Sequence, residues 1–248
     1  MVKTTIIQKA LYLQKLQGDS PIHALRRTFL HITICLLAAV SVSLFSGAVH
    51  SDQKSSQQQQ VKILVLGDSL SAAYGIPQKK SWVNLLASSL DTTHPNTKII
   101  NASISGEPTG GGRSRLPGLL NRHNPQIVIL ELGGNDGLRG FPISVIHSNL
   151  DEMIKLSQQK GSEVLLLGMR IPPNYGTRYT EEFFNTYQRL ANQYQLPFVP
   201  FLLENIALDK NLMQQDGIHP NAEAQPAIME KVSKILMPVV KQFALAYK

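Results

Sequence analysis

The sequence predicts an α/β fold, a three-layer α/β/α sandwich built around a parallel sheet. From residue 61 onward, short apolar runs alternate with longer amphipathic stretches. Three of the runs are almost continuous Val, Ile and Leu, which is typical of strands buried on both faces of a parallel sheet. The stretches between them are long enough for helical crossovers, and such crossovers are right-handed.

Five strands and five helices account for the alternation. The strands are predicted at Lys62–Leu66, Lys98–Ala102, Gln126–Leu132, Glu163–Gly168 and Phe198–Phe201. The helices are predicted at Ser81–Leu90, Arg113–Arg122, Ile143–Gln159, Glu181–Gln195 and Asn221–Ala244. Pro142 and Thr180 lie where helices are expected to begin, and Gly161 where one is expected to end.

Each predicted strand leads into a polar segment, and most of these segments are rich in glycine. They are Gly67–Leu70, Ser103–Gly106 with the glycines Gly110–Gly112 beyond it, Gly133–Gly137, Arg170–Gly176 and Asp216–Pro220. The carboxyl ends of parallel strands meet at one edge of a sheet, where open α/β folds bind their ligands. We therefore expect these five loops to converge on one site.

Residues 1–48 are predicted to be a secretory signal peptide. Two arginines precede a mostly apolar segment at residues 28–45, and Ser46-Gly47-Ala48 provides a cleavage site after Ala48. An uncleaved membrane anchor is the alternative, because the apolar run approaches the length that spans a bilayer. Residues 49–60 are a polar linker rich in Gln and Ser. Export would place the protein in the periplasm or outside the cell.

The net charge of +7 does not indicate a nucleic-acid-binding protein. Residues 1–48 contain five basic and one acidic side chain, and the 19 basic and 16 acidic side chains beyond them nearly balance. The longest basic run in that part is Lys79-Lys80, whereas nucleic-acid binding needs a basic stripe. The one cysteine, Cys35, lies in the apolar leader, so neither a disulfide nor a Cys-based zinc site can form.

Ser69 is the candidate nucleophile. It follows the first buried strand after only Gly67 and Asp68, so its hydroxyl is expected at the edge of the sheet where ligands bind. A serine nucleophile needs a base that a third group orients. Asp216 and His219 fit those two roles, because they are separated by two residues on a turn with Gly217 and Pro220. A surface turn in which Asp216 caps the following helix is the alternative interpretation.

Asn135 and Gly106 are candidate oxyanion donors. The Asn135 amide and the backbone N–H groups of Gly106 and Ser69 could stabilise the charge that develops in acyl transfer. Alternatively, Asn135 lies in a simple turn that tolerates positive φ. Asp68 and Asp136 could suggest a metal site, but no paired histidines accompany them. We therefore expect neither a metal nor a cofactor.

Four sequence blocks resemble those of the SGNH, or GDSL, hydrolases. They are Gly67-Asp68-Ser69-Leu70, Gly106, Gly134-Asn135-Asp136 and Asp216-x-x-His219, in the family's order and at compatible spacing. Asn101–Gly106, Glu131–Phe141, Asn174–Gly176 and Asp216–Asn221 further resemble a bacterial periplasmic branch with thioesterase, protease and lysophospholipase activities. The resemblance covers about Val61 to Val240.

The resemblance implies a flavodoxin-like SGNH-hydrolase domain at residues 61–248, with five parallel strands in the order 2-1-3-4-5. Ser69 would be the nucleophile, His219 the base and Asp216 its partner, with Ser69, Gly106 and Asn135 as oxyanion donors. The substrates would be small-molecule acyl esters and thioesters, including lysophospholipids, with transient contact to membrane lipid. We expect a monomer.

Two other functions remain compatible with the sequence. A carbohydrate O-acetylesterase would use the same triad on the same fold, and an inactive periplasmic binding module would keep only the scaffold. One departure from the family branch concerns the residues after Gly106, where Glu107-Pro108 replaces the usual Asp-Thr. Pro108 removes a backbone N–H and restricts Glu107 to extended conformations. We expect catalysis to survive this change.

Overall fold

A five-stranded parallel sheet lies at the centre of the computed structural model, which describes residues 60–246. The strands are β1 (Val61–Gly67), β2 (Thr97–Asn101), β3 (Ile127–Glu131), β4 (Glu163–Leu167) and β5 (Phe198–Val199). They lie side by side in the order β2-β1-β3-β4-β5. The predicted α/β fold and its strand order are confirmed.

Residues 60–246 contain six α-helices, five long ones that pack on the sheet and a short one in the loop after β3. They are α1 (Trp82–Thr93), α2 (Thr109–His123), α3 (Gly134–Leu138), α4 (Ile143–Gln159), α5 (Thr177–Tyr194) and α6 (Gln225–Ala246). Short 3₁₀ turns lie at Gln78–Lys80, Pro173–Tyr175 and Ala222–Ala224. Helix α1 packs beside α6, and α4 packs between α2 and α5. Within residues 60–246, no helix is both long and apolar enough to cross a bilayer.

The central strands are buried on both faces. Four consecutive residues of β1, Ile63 to Leu66, are fully buried, and all five residues of β3 are buried as well. Burial of such apolar side chains is the main favourable contribution to folding, because it removes apolar surface from water. The register of the two strands matters for function. Gly67 of β1 lies opposite Glu131 of β3, so the two loops that follow these strands start side by side.

Helix α2 begins earlier than predicted. The glycines Gly110–Gly112, expected in a loop, form its first turn, and the helix starts at Thr109 instead of Arg113. The Thr109 backbone N–H and hydroxyl both donate to the Asp136 carboxylate, at 2.8 and 2.6 Å. This tertiary contact starts the helix, and the sequence pattern does not reveal it. Gly112 has a packing role, since a Cβ there would lie 2.3 Å from the Leu132 side chain.

Several other boundaries differ from the predictions, and α6 starts at Gln225 instead of Asn221. Strand β5 has two residues instead of four, and beyond Val199 the Gly168 carbonyl accepts from the Leu202 N–H at 3.0 Å as the chain leaves the sheet. Helix α5 starts at Thr177 instead of Glu181. The Gly-rich segment Gly133–Gly137, expected as a loop, contains the short helix α3. The predicted signal peptide and almost all of the predicted linker lie outside the described residues.

Gly133 connects the fold to the loop after β3. Its φ is +115°, in the region that favours glycine, and an added Cβ would lie 2.2 Å from the Tyr187 hydroxyl. That hydroxyl donates to the Leu132 carbonyl at 2.9 Å, so the contact anchors α3 on α5. We expect Gly133→Ala to lower the free energy of unfolding by about 2–4 kcal/mol, from backbone strain and overpacking together.

Urea unfolding followed by circular dichroism measures this loss. Gly118→Ala in α2 is the matched control, because an added Cβ there meets no atom within 4 Å. That change should leave stability unchanged or raise it by up to about 1 kcal/mol. Equal stability of Gly133→Ala and wild type would contradict the account of this contact.

Candidate active site

Ser69 lies in a tight turn directly after β1. The Ala72 N–H donates to the Asp68 carbonyl at 2.9 Å, and the Tyr74 N–H donates to the Ser69 carbonyl at 3.3 Å. The turn keeps the Ser69 side chain partly exposed, although Asp68 and Ser71 beside it are buried. The structure therefore places the Ser69 hydroxyl at the carboxyl end of the sheet and within reach of solvent.

Asp216 and His219 lie on a turn that the backbone closes. The Gln214 N–H donates to the His219 carbonyl at 2.7 Å, and Met213 pairs with Pro220 in an isolated antiparallel bridge. Within the turn, one Asp216 oxygen, Oδ1, accepts from the backbone N–H groups of Ile218 and His219, at 2.9 and 3.0 Å. The carboxylate is held rigidly as a result.

A continuous hydrogen-bonded chain joins these residues to Ser69. The other Asp216 oxygen, Oδ2, lies 2.7 Å from His219 Nδ1, and His219 Nε2 lies 2.8 Å from Ser69 Oγ. An ionised carboxylate only accepts hydrogen bonds, so it selects the tautomer with a proton on Nδ1. The lone pair of Nε2 then faces the serine hydroxyl.

The helix-capping interpretation of Asp216 is wrong. The 3₁₀ turn at Ala222–Ala224 that precedes α6 is capped by Asn221, whose side-chain oxygen accepts from the N–H groups of Glu223 and Ala224. Asp216 instead bonds within its own turn and to His219. Burial by itself would raise the pKa of Asp216. The hydrogen bonds from the backbone and the imidazole outweigh burial and lower the pKa to about 2. Asp216 is therefore ionised at neutral pH.

Tyr74 packs against the imidazole. Its ring centroid lies 4.4 Å from that of His219, with 39° between the two planes. Ala73, in the left-handed region at φ 63°, turns the chain so that Tyr74 reaches this position. Gln214 Nε2 donates to the Tyr74 carbonyl at 2.9 Å and so ties the serine loop to the histidine loop. Sequence reasoning missed Tyr74, although it lies only five residues after Ser69.

Asn135 lies in the first turn of α3 and faces the serine loop. Its side-chain Nδ2 donates to Asp68 Oδ2 at 2.9 Å. Asp68 directly precedes Ser69, so this bond joins the ends of β1 and β3. The alternative of a simple turn is therefore not what the structure has, because Asn135 lies in a helical turn that a side-chain contact holds in place. The second N–H of the amide remains available to a ligand.

Gly106 lies in the loop between β2 and α2. It has a φ of +78°, and an added Cβ there would meet no atom within 4 Å. Among the described residues, neither the Gly106 N–H nor the Ser69 N–H has an acceptor. Arg139 donates to the Gly106 carbonyl at 3.1 Å and connects this loop to α3. Gly106 does not line the cavity that adjoins Ser69.

An ion pair accommodates Glu107-Pro108, the two residues that depart from the sequence usual after Gly106. Glu107 is buried, and its Oε1 accepts a hydrogen bond from Nε of Arg115 at 2.7 Å. Nη2 of Arg115 contacts the other Glu107 oxygen, Oε2. The same Nη2 donates to the Ala102 carbonyl at 2.8 Å. Arg115 therefore connects both ends of the loop that carries Gly106.

A cavity of about 970 Å³ adjoins the serine. Ser69, Asn135 and His219 are among the polar residues that line it. Its apolar lining includes Leu138, Met169, Ile171, Phe184, Phe201 and Leu203. Arg170, which sequence reasoning did not single out, also lines the cavity, and its guanidinium carbon lies 3.5 Å from the centroid of the Phe184 ring. The arrangement fits a reaction at an ester group whose apolar part lies along this wall.

The two aspartates that could have suggested a metal site have other partners. Asp136 is fully buried and binds Thr109, as described above, and Asp68 binds Asn135 and the Leu70 N–H. Across residues 60–246, no group of three His, Cys, Asp or Glu side chains is arranged to hold a metal ion. The carboxylates serve to connect loops.

This chain is similar to a known family model and to several known proteins. A family model described as "GDSL-like Lipase/Acylhydrolase family" matches residues 65–226. An arylesterase of Vibrio mimicus is 48% identical over 73% of this chain and 91% of its own. The thioesterase 1/protease 1/lysophospholipase L1 of Escherichia coli is 43% identical over 72% of this chain and 84% of its own.

A solved structure has the same fold. The psychrotrophic esterase EstA from a Pseudoalteromonas species, in a structure inhibited by monoethylphosphonate, superposes with a TM-score of 0.69. It is 40% identical and covers 73% of this chain and 98% of its own. From the family match, the relatives and this superposition, we conclude that the chain belongs to the GDSL-like lipase/acylhydrolase family, the SGNH hydrolases.

Proposed function

We propose that this protein is a serine esterase and thioesterase that uses Ser69, His219 and Asp216 as its catalytic triad. The observation that carries the proposal is the unbroken hydrogen-bonded chain from Asp216 through His219 to Ser69, across a separation of 150 residues. Relatives named arylesterase, esterase and thioesterase support the same reaction class. An inactive binding module would have no need for these hydrogen bonds.

Acylation of Ser69 starts the reaction. His219 Nε2 takes the hydroxyl proton while Ser69 Oγ forms a bond to the carbonyl carbon of the substrate. The carbonyl oxygen becomes an oxyanion, which the Ser69 and Gly106 N–H groups and the Asn135 amide stabilise. The intermediate then expels the alcohol or thiol, which takes the proton from imidazolium, and an acyl-serine remains.

Water completes the cycle. His219 takes a proton from the water as its oxygen attacks the acyl carbon, and the same donors hold the second oxyanion. The C–O bond to Ser69 breaks, Ser69 Oγ recovers the proton from His219, and the carboxylic acid leaves. Asp216, ionised at neutral pH, stabilises the imidazolium in both halves.

The cavity wall supports substrates with medium or long acyl chains. Its apolar residues offer much more surface than an acetyl group can use, so an O-acetylesterase fits this site less well. Arg170 adds a cation to the same cavity, and its guanidinium carbon lies 3.5 Å from the centroid of the Phe184 ring. In-plane N–H donors suit a phosphate group. We therefore include lysophospholipids among the proposed substrates.

Location and assembly are part of the proposal. The leader sequence supports export to the periplasm or beyond the cell, with cleavage after Ala48. Leu208, which is 99% exposed, and Ile218 both line the cavity, so transient contact with membrane lipid is proposed as well. We propose that the mature domain acts as a monomer.

Ser69→Ala tests the nucleophile. We expect kcat for nitrophenyl acyl esters to fall by about 10⁶-fold, because the triad acts as a unit. Ser88→Ala, an exposed serine of α1, is the matched control and should retain wild-type kcat. Steady-state kinetics on both variants, with unfolding curves to verify the fold, measure the effect. Undiminished hydrolysis by Ser69→Ala would rule out the proposed nucleophile.

Arg170→Gln tests the headgroup contact. With lysophosphatidylcholine, kcat/KM should fall by about 10-fold, as expected for loss of a charge-assisted hydrogen bond. With a monoacylglycerol of the same acyl chain, kcat/KM should remain within about threefold, because no phosphate is present. Arg178→Gln, at an exposed arginine of α5, is the control. An equal loss on both substrates would mean that Arg170 only forms part of the wall.

A further inference from the structure

Two buried carboxyl groups lie directly beneath the serine loop. Asp68 is 2% exposed and Glu131 is fully buried, and they close the paired ends of β1 and β3. Gly67, which pairs with Glu131, has no room for a side chain, because a Cβ would lie 2.5 Å from Glu131 Oε2. The fold thus brings two acidic groups together where an apolar pair would be expected.

Each carboxyl group has distinct partners. Glu131 Oε2 accepts from the Ser71 hydroxyl at 2.6 Å and from the Asp68 backbone N–H at 3.2 Å. Asp68 Oδ1 accepts from the Leu70 N–H at 3.1 Å, and Asp68 Oδ2 accepts from Asn135 Nδ2 at 2.9 Å. The Asp68 carboxylate therefore holds two groups, the turn that carries Ser69 and the side chain of Asn135.

Burial favours the neutral form of both groups, but not equally. Burial and the neighbouring Asp68 charge raise the pKa of Glu131 well above its usual value. Burial also raises the pKa of Asp68, but hydrogen bonds from the Leu70 N–H and the Asn135 amide limit the rise to about 6. The donors that face Asp68, the Leu70 N–H and the Asn135 amide, favour its ionised form. Oε1 of Glu131 accepts no hydrogen bond from the described residues, which a neutral carboxyl tolerates better than an anion.

We propose that Asp68 is a positioning residue that orients the Asn135 amide toward the oxyanion, and that Glu131 holds Asp68 in place. The inference rests on the proposed function of Asn135 as an oxyanion donor. An Asn side chain can present either its oxygen or its NH₂ group to the reacting atoms. A carboxylate accepts only, so Asp68 selects the orientation in which the NH₂ group faces it. The second N–H of that group is then directed to the substrate.

A double-mutant cycle tests this coupling. Asp68→Asn offers an amide, which no longer selects the Asn135 orientation, so kcat should fall by about 10–100-fold with KM within about threefold. In the Asn135→Ala background, the same Asp68→Asn change should cost less than about threefold, because Asp68 acts through Asn135. Asp91→Asn, at an exposed aspartate of α1, is the matched control and should retain wild-type kcat in both backgrounds.

Two outcomes of the cycle would overturn the inference. One is an equal loss in both backgrounds, which would mean that Asp68 supports only the fold or the serine turn. The other is no loss in the wild-type background. The failure of the proposed function is separate, because then Ser69→Ala and Asn135→Ala would themselves retain activity. A full Ser69 effect together with an additive cycle rejects only the role of Asp68.

A reciprocal exchange covers the case in which Asp68→Asn alone does not fold. Asp68→Asn combined with Asn135→Asp keeps one hydrogen bond between the two side chains but reverses it, because the amide at position 68 now donates to the carboxylate at position 135. The thermal midpoint should return to near that of wild type, while kcat should stay as low as in Asn135→Ala, because a carboxylate oxygen now faces the oxyanion. Recovery of kcat along with stability would overturn the inference.

Discussion

The hydrogen bond between His219 Nε2 and Ser69 Oγ is the contact on which the rest of the site depends. It joins residues 150 positions apart, so it exists only if the first strand and the last loop reach the same edge of the sheet. The strand order β2-β1-β3-β4-β5 places β1 inside the sheet, and the turn closed between Met213 and Pro220 brings the imidazole over it. Small shifts of either loop would separate the two atoms and remove the proposed base from the nucleophile.

The polar groups around this bond are organised by buried acids. Asp68 and Asp136 each connect two loops, and Glu131 supports the serine turn from below. Buried carboxyl groups cost free energy unless they are neutral or hydrogen-bonded. Their presence here means that the ends of β1, β2 and β3 are held by directional contacts instead of apolar packing. Such contacts fix distances between loops more narrowly, which a preorganised oxyanion site requires.

Much of the fold and most of the proposed site were predictable from the sequence. The Val, Ile and Leu runs mark the buried strands, and Ser69, Asn135 and His219 lie in loops whose meeting follows from parallel strands. The start of α2 and the short helix α3 were not predictable, because a tertiary bond from Thr109 to Asp136 and a close approach of Gly133 to Tyr187 set them. The contact of the Asp68 N–H with Glu131 depends on the register that sets Gly67 opposite Glu131, which a single sequence does not reveal.

In the proposed reaction, Ser69 becomes covalently acylated while His219 acts as its base. Labelling with a fluorophosphonate, followed by mass spectrometry of proteolytic peptides, tests it most directly, because the probe reacts with activated serines. We expect one phosphonate adduct per chain on the peptide that contains Ser69, and labelling of His219→Ala to be far slower than that of wild type. An adduct on another residue, or equal labelling rates for His219→Ala and wild type, would contradict the account.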